Sequence, residues 1–197
     1  MKTTTCLSLA VTAYALVAFA SVGQAATYEV DPVHSHVGFT VRHLVSKVPG
    51  QFKEFSGDFT FNPKKSSKAT GTFTIQAASI DTGNAKRDGH LKSADFFDAE
   101  KYPTLTLKNI KLSPDKKKDN AYTLKGDLTI HGVTKKVSFD LEHLGTMGDK
   151  IGFTAIATIN RMDYGVSWNK VLEGGGLVLS KDITITIQVE ATKKKKK

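Results

Sequence analysis

"DITITIQVE" (residues 182–190) decides the fold. Ile183, Ile185, Ile187 and Val189 take alternate positions, with threonine and glutamine between them. Successive side chains of a strand point to opposite faces, so a period of two means one apolar face and one polar face. The same alternation runs through "HVGFTVRH" (36–43), "QFKEFSGDFTFN" (51–62), "GTFTIQAAS" (71–79), "TLTLKNIKL" (104–112), "YTLKGDLTI" (122–130), "KVSFDLE" (136–142) and "GFTAIATIN" (152–160), making eight candidate strands. Turn residues separate them: Asn62-Pro63, Ser113-Pro114-Asp115, His131-Gly132, Gly145 to Gly148 and Gly174-Gly175-Gly176. Half-buried strands at such short spacing form antiparallel hairpins. The expected fold class is all-β, an eight-stranded antiparallel barrel, because closure removes exposed edges. A two-sheet sandwich is the alternative.

One segment does not alternate. In "DGHLKSADFFDAEKYPTLTL" (88–107) ionisable residues crowd together before a strand begins. Asn84 is an expected N-cap for a short helix crossing the barrel mouth, and Gly89 limits its length. A second helical turn is expected over residues 43–46.

The two ends of the chain are not barrel. Lys2, the apolar run from Leu7 to Ala20, and small residues before Ala25 read as a secretory signal peptide over residues 1–25. That run is shorter than the roughly 20 apolar residues a membrane span needs. The single cysteine, Cys6, lies inside it. The mature chain therefore has no disulfide, thiol nucleophile or thiolate metal site. It must be held by its core, and about 172 residues suffice for one. Export to a bacterial periplasm is the expected location. The net charge of +9 becomes +8 without Lys2 and +3 without the five terminal lysines as well. Those lysines (193–197) read as a disordered tail, able to touch anionic lipid headgroups. Nucleic acid is excluded as a partner for an exported chain without a basic-aromatic motif.

His34 and His36 share a face if that stretch is extended, but zinc needs further ligands and none is marked by spacing, so no metal is expected. Asp88 and His90 have the types of a base and its orienter. A nucleophile would have to be Ser35, Ser93 or Ser167, and none sits in an elbow motif, so no catalytic residue is assigned. Arg87, Asp88 and His90 read instead as a polar network fixing the crossover, with direct contact to a ligand headgroup as the companion reading. Arg161 and Asp163 are an expected ion pair. Trp168 belongs either to the core or to the entrance.

Read together, four stretches resemble the YceI-like family: "VDPVHSHVGFTVRHLVSKVPGQFKEFSGDF" (30–59), "SIDTGNAKRDGHLKSADFFDAEKYPTLTL" (79–107), "GDLTIHGVTKKV" (126–137) and "INRMDYGVSW" (159–168). The resemblance covers residues 26–192. It implies a lipocalin-like barrel, a periplasmic location, a homodimer, no cofactor, and a polyisoprenoid or related amphipathic lipid in the interior, such as an isoprenoid quinone or polyprenyl phosphate. Under that implication, Phe39, Phe59, Phe73, Ile75, Leu107, Phe139, Phe153, Ala155, Ala157 and Ile185 are the candidate apolar lining. His34, Arg87, Asp88, His90, Arg161 and Trp168 are the candidate headgroup or mouth network. Ala77, Ala155, Ala157, Gly57 and Gly126 supply little volume and would leave space if they face inward. The alternative is an interaction module that works through its surface without a lipid.

Overall fold

The computed structural model describes residues 25–169 and 178–195. Nearly all of the signal peptide, the three consecutive glycines and the last two lysines lie outside them. Eleven strand segments form one antiparallel sheet: β1 (Ala26–Val30), β2 (His36–His43), β3 (Ser46–Phe52), β4 (Phe55–Phe61), β5 (Thr70–Gln76), β6 (Ile80–Asp81), β7 (Thr104–Pro114), β8 (Ala121–Ile130), β9 (Val133–Met147), β10 (Lys150–Asn160) and β11 (Leu179–Lys193). Strand β11 pairs with β10 along its length, with β2 over Leu179 to Gln188, and with β1 over Ala191 to Lys193. The β2–β11 and β1–β11 ladders together close the sheet into a barrel, β1 and β2 being one stave interrupted at residues 31–35. β3/β4 and β5/β6 are likewise interrupted staves, so the barrel has eight. The sandwich alternative is set aside by this closure.

Alternation holds where it was read. Leu124, Leu128 and Ile130 of β8, and Ile151, Phe153, Ala155, Ala157 and Ile159 of β10, are buried. Two segments escape that pattern. β1 is five residues long, and β3 contains Pro49 and Gly50. Proline is tolerated there because β3 pairs fully with β2 alone, its other side meeting β6 only at Gln51 and Phe52. Residues 43–46, expected to be helical, are instead a tight hairpin in which His43 pairs with Ser46 and Leu44 has φ of 51°. The lysine tail is also shorter than expected. Lys193 pairs with Tyr28, and Lys194 bonds Asp58 at 2.6 Å.

The two ends of the barrel differ. At one end, rings form a floor: Phe61–Phe153 centroids lie 5.1 Å apart, Phe61–Tyr122 5.9 Å and His143–Phe153 5.1 Å. Burial there pushes the His143 pKa below its ordinary value. At the other end, helix α1 (Ala85–Lys92) crosses the mouth. The Asn84 side chain caps it, accepting from the Arg87 N–H at 3.0 Å. The chain returns through residues 93–103 and lands where Tyr102 lies on the β8–β9 turn. A Cβ on Gly132 of that turn (φ 74°) would meet the Tyr102 ring at 2.5 Å.

Glycine also decides where rings lie inside. Gly57 pairs with Phe73, and a Cβ there would sit 2.3 Å from the ring. Gly57→Ala is expected to cost about 1–3 kcal/mol, the range for overpacking. Thermal unfolding should show a lowered Tm.

Candidate functional site

Inward side chains do not fill the barrel. They enclose a cavity of about 670 Å³, within the range of sites that hold small molecules. Phe39, Phe59, Phe73, Ile75, Leu107, Phe139, Phe153, Ala155 and Ile185 line it. Ala157 is buried on the same face of β10 but does not reach the cavity. Gly57 and Gly126 do not line it either. They make room for neighbouring side chains, Phe73 and Leu107, to lie against the wall. Ala77 is fully buried in a 3₁₀ turn between β5 and β6. The space therefore comes from barrel girth more than from small residues.

Apart from Ser56, Thr60, Thr74 and Thr106 on the wall strands, polar lining is concentrated at the mouth. Thr82, Asn84, Lys86, Arg87 and His90 contribute from the crossover, His43 from β2, and Arg161 from the end of β10. Among the described residues the lining contains no aspartate or glutamate. The chemistry on offer is hydrogen-bond donation and positive charge, which suits an acceptor or an anion.

The expected Arg87–Asp88–His90 network is two separate arrangements. Thr82 is the hub of the first. Its N–H donates to Asp88 Oδ1 at 2.9 Å and its hydroxyl donates to the same oxygen. Arg87 donates to the Thr82 hydroxyl at 2.7 Å and to its carbonyl at 2.8 Å. Nothing in the sequence marks Thr82 for this role, since its partners meet only once the helix folds back. In the second arrangement His90 Nε2 lies 2.7 Å from Asp95 Oδ2, and its ring stands edge-on to Phe96 and Trp168, both centroids at 5.0 Å. Asp88 therefore does not orient His90. Ser93 donates its hydroxyl to the His90 carbonyl, and Ser35 is held in the β11 ladder by Glu190. Trp168, half-buried, belongs to the entrance wall with Phe96.

Arg161 departs most from expectation. It forms no ion pair with Asp163, which is exposed. The guanidinium is buried at 5% exposure and donates to three carbonyls: Ser180 at 2.9 Å, Val166 at 2.6 Å and Trp168 at 2.9 Å. Nη2 is buried without a partner among the described residues. Burial pushes its pKa below the ordinary arginine value. A planar fork can span three carbonyls where a single ammonium cannot. Arg161 thereby ties the chain after β10 to the start of β11.

His34 is not at the mouth. It lies in the turn before β2, at the floor end, and does not share a strand face with His36. Its Nδ1 is 2.9 Å from Asp31 Oδ2. Asp31, His34 and Glu190 offer ligand atoms within 4.8 Å of one another. Lys150 already supplies positive charge there, 3.1 Å from each carboxylate. Bonds from His34 and then Lys150 hold the Asp31 carboxyl well below the usual carboxylate range.

Comparison with known proteins agrees with this architecture. Residues 28–191 match the YceI-like domain. A UPF0312 protein of Photorhabdus laumondii is 38% identical over 164 residues, 79% of this chain and 84% of that one. A UPF0312 protein of Staphylococcus aureus is 36% identical, covering 81% of this chain and 94% of its own. Among solved structures, Burkholderia cenocepacia BcnA superposes with a TM-score of 0.74 at 25% identity, over 83% of this chain and 99% of that one. A domain from Saccharophagus degradans, described as polyisoprenoid-binding, shares the fold with a TM-score of 0.62 at 17% identity, over 87% of this chain and all of its own.

Two outcomes test these assignments. Arg161→Met should destabilise the fold by about 2–4 kcal/mol, since orphaned buried groups cost about 1–3 kcal/mol each, and Arg161→Lys should not restore it in a urea melt. Asp31→Asn should lower Tm at neutral pH. A depressed carboxylate stabilises the fold above its ordinary pKa, 3.8, and that contribution fades as pH falls. The Tm gap between wild type and Asp31→Asn should therefore shrink below that value.

Proposed function

The chain belongs to the YceI-like family, and we propose that it is a periplasmic carrier holding a polyisoprenoid or related amphipathic lipid inside the barrel. The carrying observation is the cavity: apolar from the aromatic floor upward, with donors and cations gathered at the mouth. An apolar chain would lie among Phe59, Phe73, Phe139 and Phe153. The headgroup would meet Lys86, Arg87 and the Arg161 region, where a quinone carbonyl or a phosphate oxygen finds positive charge, and His90, whose Nε2 it would share with Asp95. The Saccharophagus degradans domain, of the same fold, is described as polyisoprenoid-binding, which supports this class of ligand. The leader-like residues 1–25 support export. Nothing in this reading calls on a cofactor.

A carrier differs from a trap. Each methylene leaving water is worth about 0.8 kcal/mol, but lipid in a bilayer is already dry. Uptake from a membrane then depends on shape and headgroup contacts, and the lipid can be given back.

Native mass spectrometry of the mature protein, purified from periplasm without detergent, should show one lipid per chain, identified by extraction and tandem spectrometry. The same spectrum reads the dimer that the family resemblance implies. Ala155→Phe should weaken uptake of added polyprenyl phosphate about tenfold or more, the equivalent of 1–3 kcal/mol of overpacking. Ile156→Phe, on the outward face, should leave it unchanged. A chain without lipid that takes up none on addition would overturn the reading.

A further inference from the structure

The β2–β3 hairpin breaks three local rules at once. Its two central residues, Leu44 and Val45, are apolar and stand in solvent, Val45 being 100% exposed and Leu44 40%. Leu44 holds φ of 51°, a conformation that suits asparagine or glycine. One step back, Arg42 and Lys47 face each other across the ladder, both exposed, and neither has a carboxylate partner among the described residues. Like charges directly opposite repel in a sheet. Arg42 Nε donates to the Leu44 carbonyl at 3.0 Å and so braces the turn. No such gain accompanies the exposed Leu44 and Val45 side chains, and local rules broken without one are expected at functional places.

The inner face of the same hairpin continues into the cavity. Val41 pairs with Val48, and both line it together with Phe39. The Leu44 N–H is bonded to the Val178 carbonyl, and Val178 lines the cavity too. The inner face of the hairpin therefore runs from the exposed tip past His43 and Ser46 to Val41, Val48 and the interior. Behind it the mouth carries Lys86 and Arg87 in its lining and no carboxylate.

We infer that this hairpin seats the open end of the barrel on an anionic bilayer, with Leu44 and Val45 entering the interfacial layer and Arg42 and Lys47 at the headgroups. Its inner face is then the path by which lipid passes between bilayer and cavity. This rests on the reading of the interior as a lipid site. Apolar residues rimmed by cations are the composition that binds anionic interfaces. The floor end also carries exposed apolar residues, Val33, Leu144 and Met147, and exposed lysines in the turns beside Tyr122. The ring floor lies between that end and the cavity, so it offers no path to the interior. The lysine run also leaves the barrel at the floor, where Lys193 pairs with Tyr28. Attachment through that run would turn the mouth away from the membrane, so the two attachments predict opposite results.

Flotation of the mature chain with phosphatidylethanolamine–phosphatidylglycerol vesicles tests this. Wild type should float with anionic vesicles and be released by 0.5 M salt, on the order of what screening at that strength predicts. Val45→Asp should lower vesicle affinity roughly tenfold, and Arg42→Gln with Lys47→Gln by roughly fivefold per charge. Leu44→Gly with Val45→Asn supplies the residues preferred by a two-residue hairpin whose first central position has positive φ, so it should raise Tm while lowering vesicle binding. A chain ending at Lys194 should bind as wild type does. Uptake of polyprenyl phosphate delivered without vesicles should be the same in all four variants. Its loss in wild type would sink the lipid reading, separately from the docking one. Docking is overturned if wild type does not float, if the hairpin variants float like wild type, or if the shortened chain alone fails. It is equally overturned if Val45→Asp changes only the oligomeric state, which would make the tip a contact between two copies.

Discussion

Closure of the barrel rests on the first stave, which meets β11 in two parts: β2 over Leu179 to Gln188, and β1 over three pairs from Tyr28–Lys193 to Val30–Ala191. Without that stave the sheet would have two open edges, and its apolar face would need another layer to cover it. The stave is broken in its middle. β11 gives its first part to β2 and its last part to β1, and residues 31–35 bridge the two. The break is held by Asp31, which accepts from the Val33 N–H at 3.0 Å and from His34 and Lys150. Ser35 fastens the same bridge by donating to the Glu190 carbonyl and accepting from its N–H. A cluster with the composition of a metal site is thus explained by the joint it holds.

A closed barrel of eight staves then sets a girth, and its side chains determine what remains inside. Rings pack against one another at the floor and lie over glycines along the wall, Phe73 over Gly57 and Phe39 over Gly50. Each flattened ring leaves the axis freer than an upright one would. The mouth is finished differently, because strands end there and ladder partners run out. Backbone groups must find other partners, and Thr82, Arg87, Asp88 and Arg161 provide them. Polar residues near the cavity thus have structural duties before any ligand arrives. Arg161 has more than one: three of its donations are spent on carbonyls, while Nη2 is left over.

Much of this was legible in the sequence. Alternation identified the strands that bury one face, and Asn84 marked the helix start through ordinary capping chemistry. What escaped did so for physical reasons. β3 carries Pro49 and Gly50, which argue against a strand unless its edge position is known. His34 sits near His36 in sequence, but a turn separates them and β2 carries the chain to the other end of the barrel. Asp88 and His90 lie two apart on a helix and therefore point in different directions, so each took a partner from elsewhere, Thr82 and Asp95. Arg161 and Asp163 are two apart in a 3₁₀ turn and part company in the same way. Spacing of two gives a shared face only in a strand, whereas Asp88–His90 stand in a helix and Arg161–Asp163 in a 3₁₀ turn.

The asymmetry between the two ends carries the last step. A cavity sealed by rings at the floor and edged by donors at the mouth admits an amphipathic molecule in one orientation, tail first. Reversing it would put a polar headgroup among Phe59, Phe61 and Phe153, where an unpaired polar group costs about 2–7 kcal/mol depending on the reference state. That penalty exceeds the difference made by one or two methylenes of tail, each worth about 0.8 kcal/mol. Orientation is therefore set more firmly than tail length. On the proposed lipid reading, a barrel of this build would discriminate amphipathic from wholly apolar molecules better than it discriminates among chains, and would keep the headgroup at the mouth.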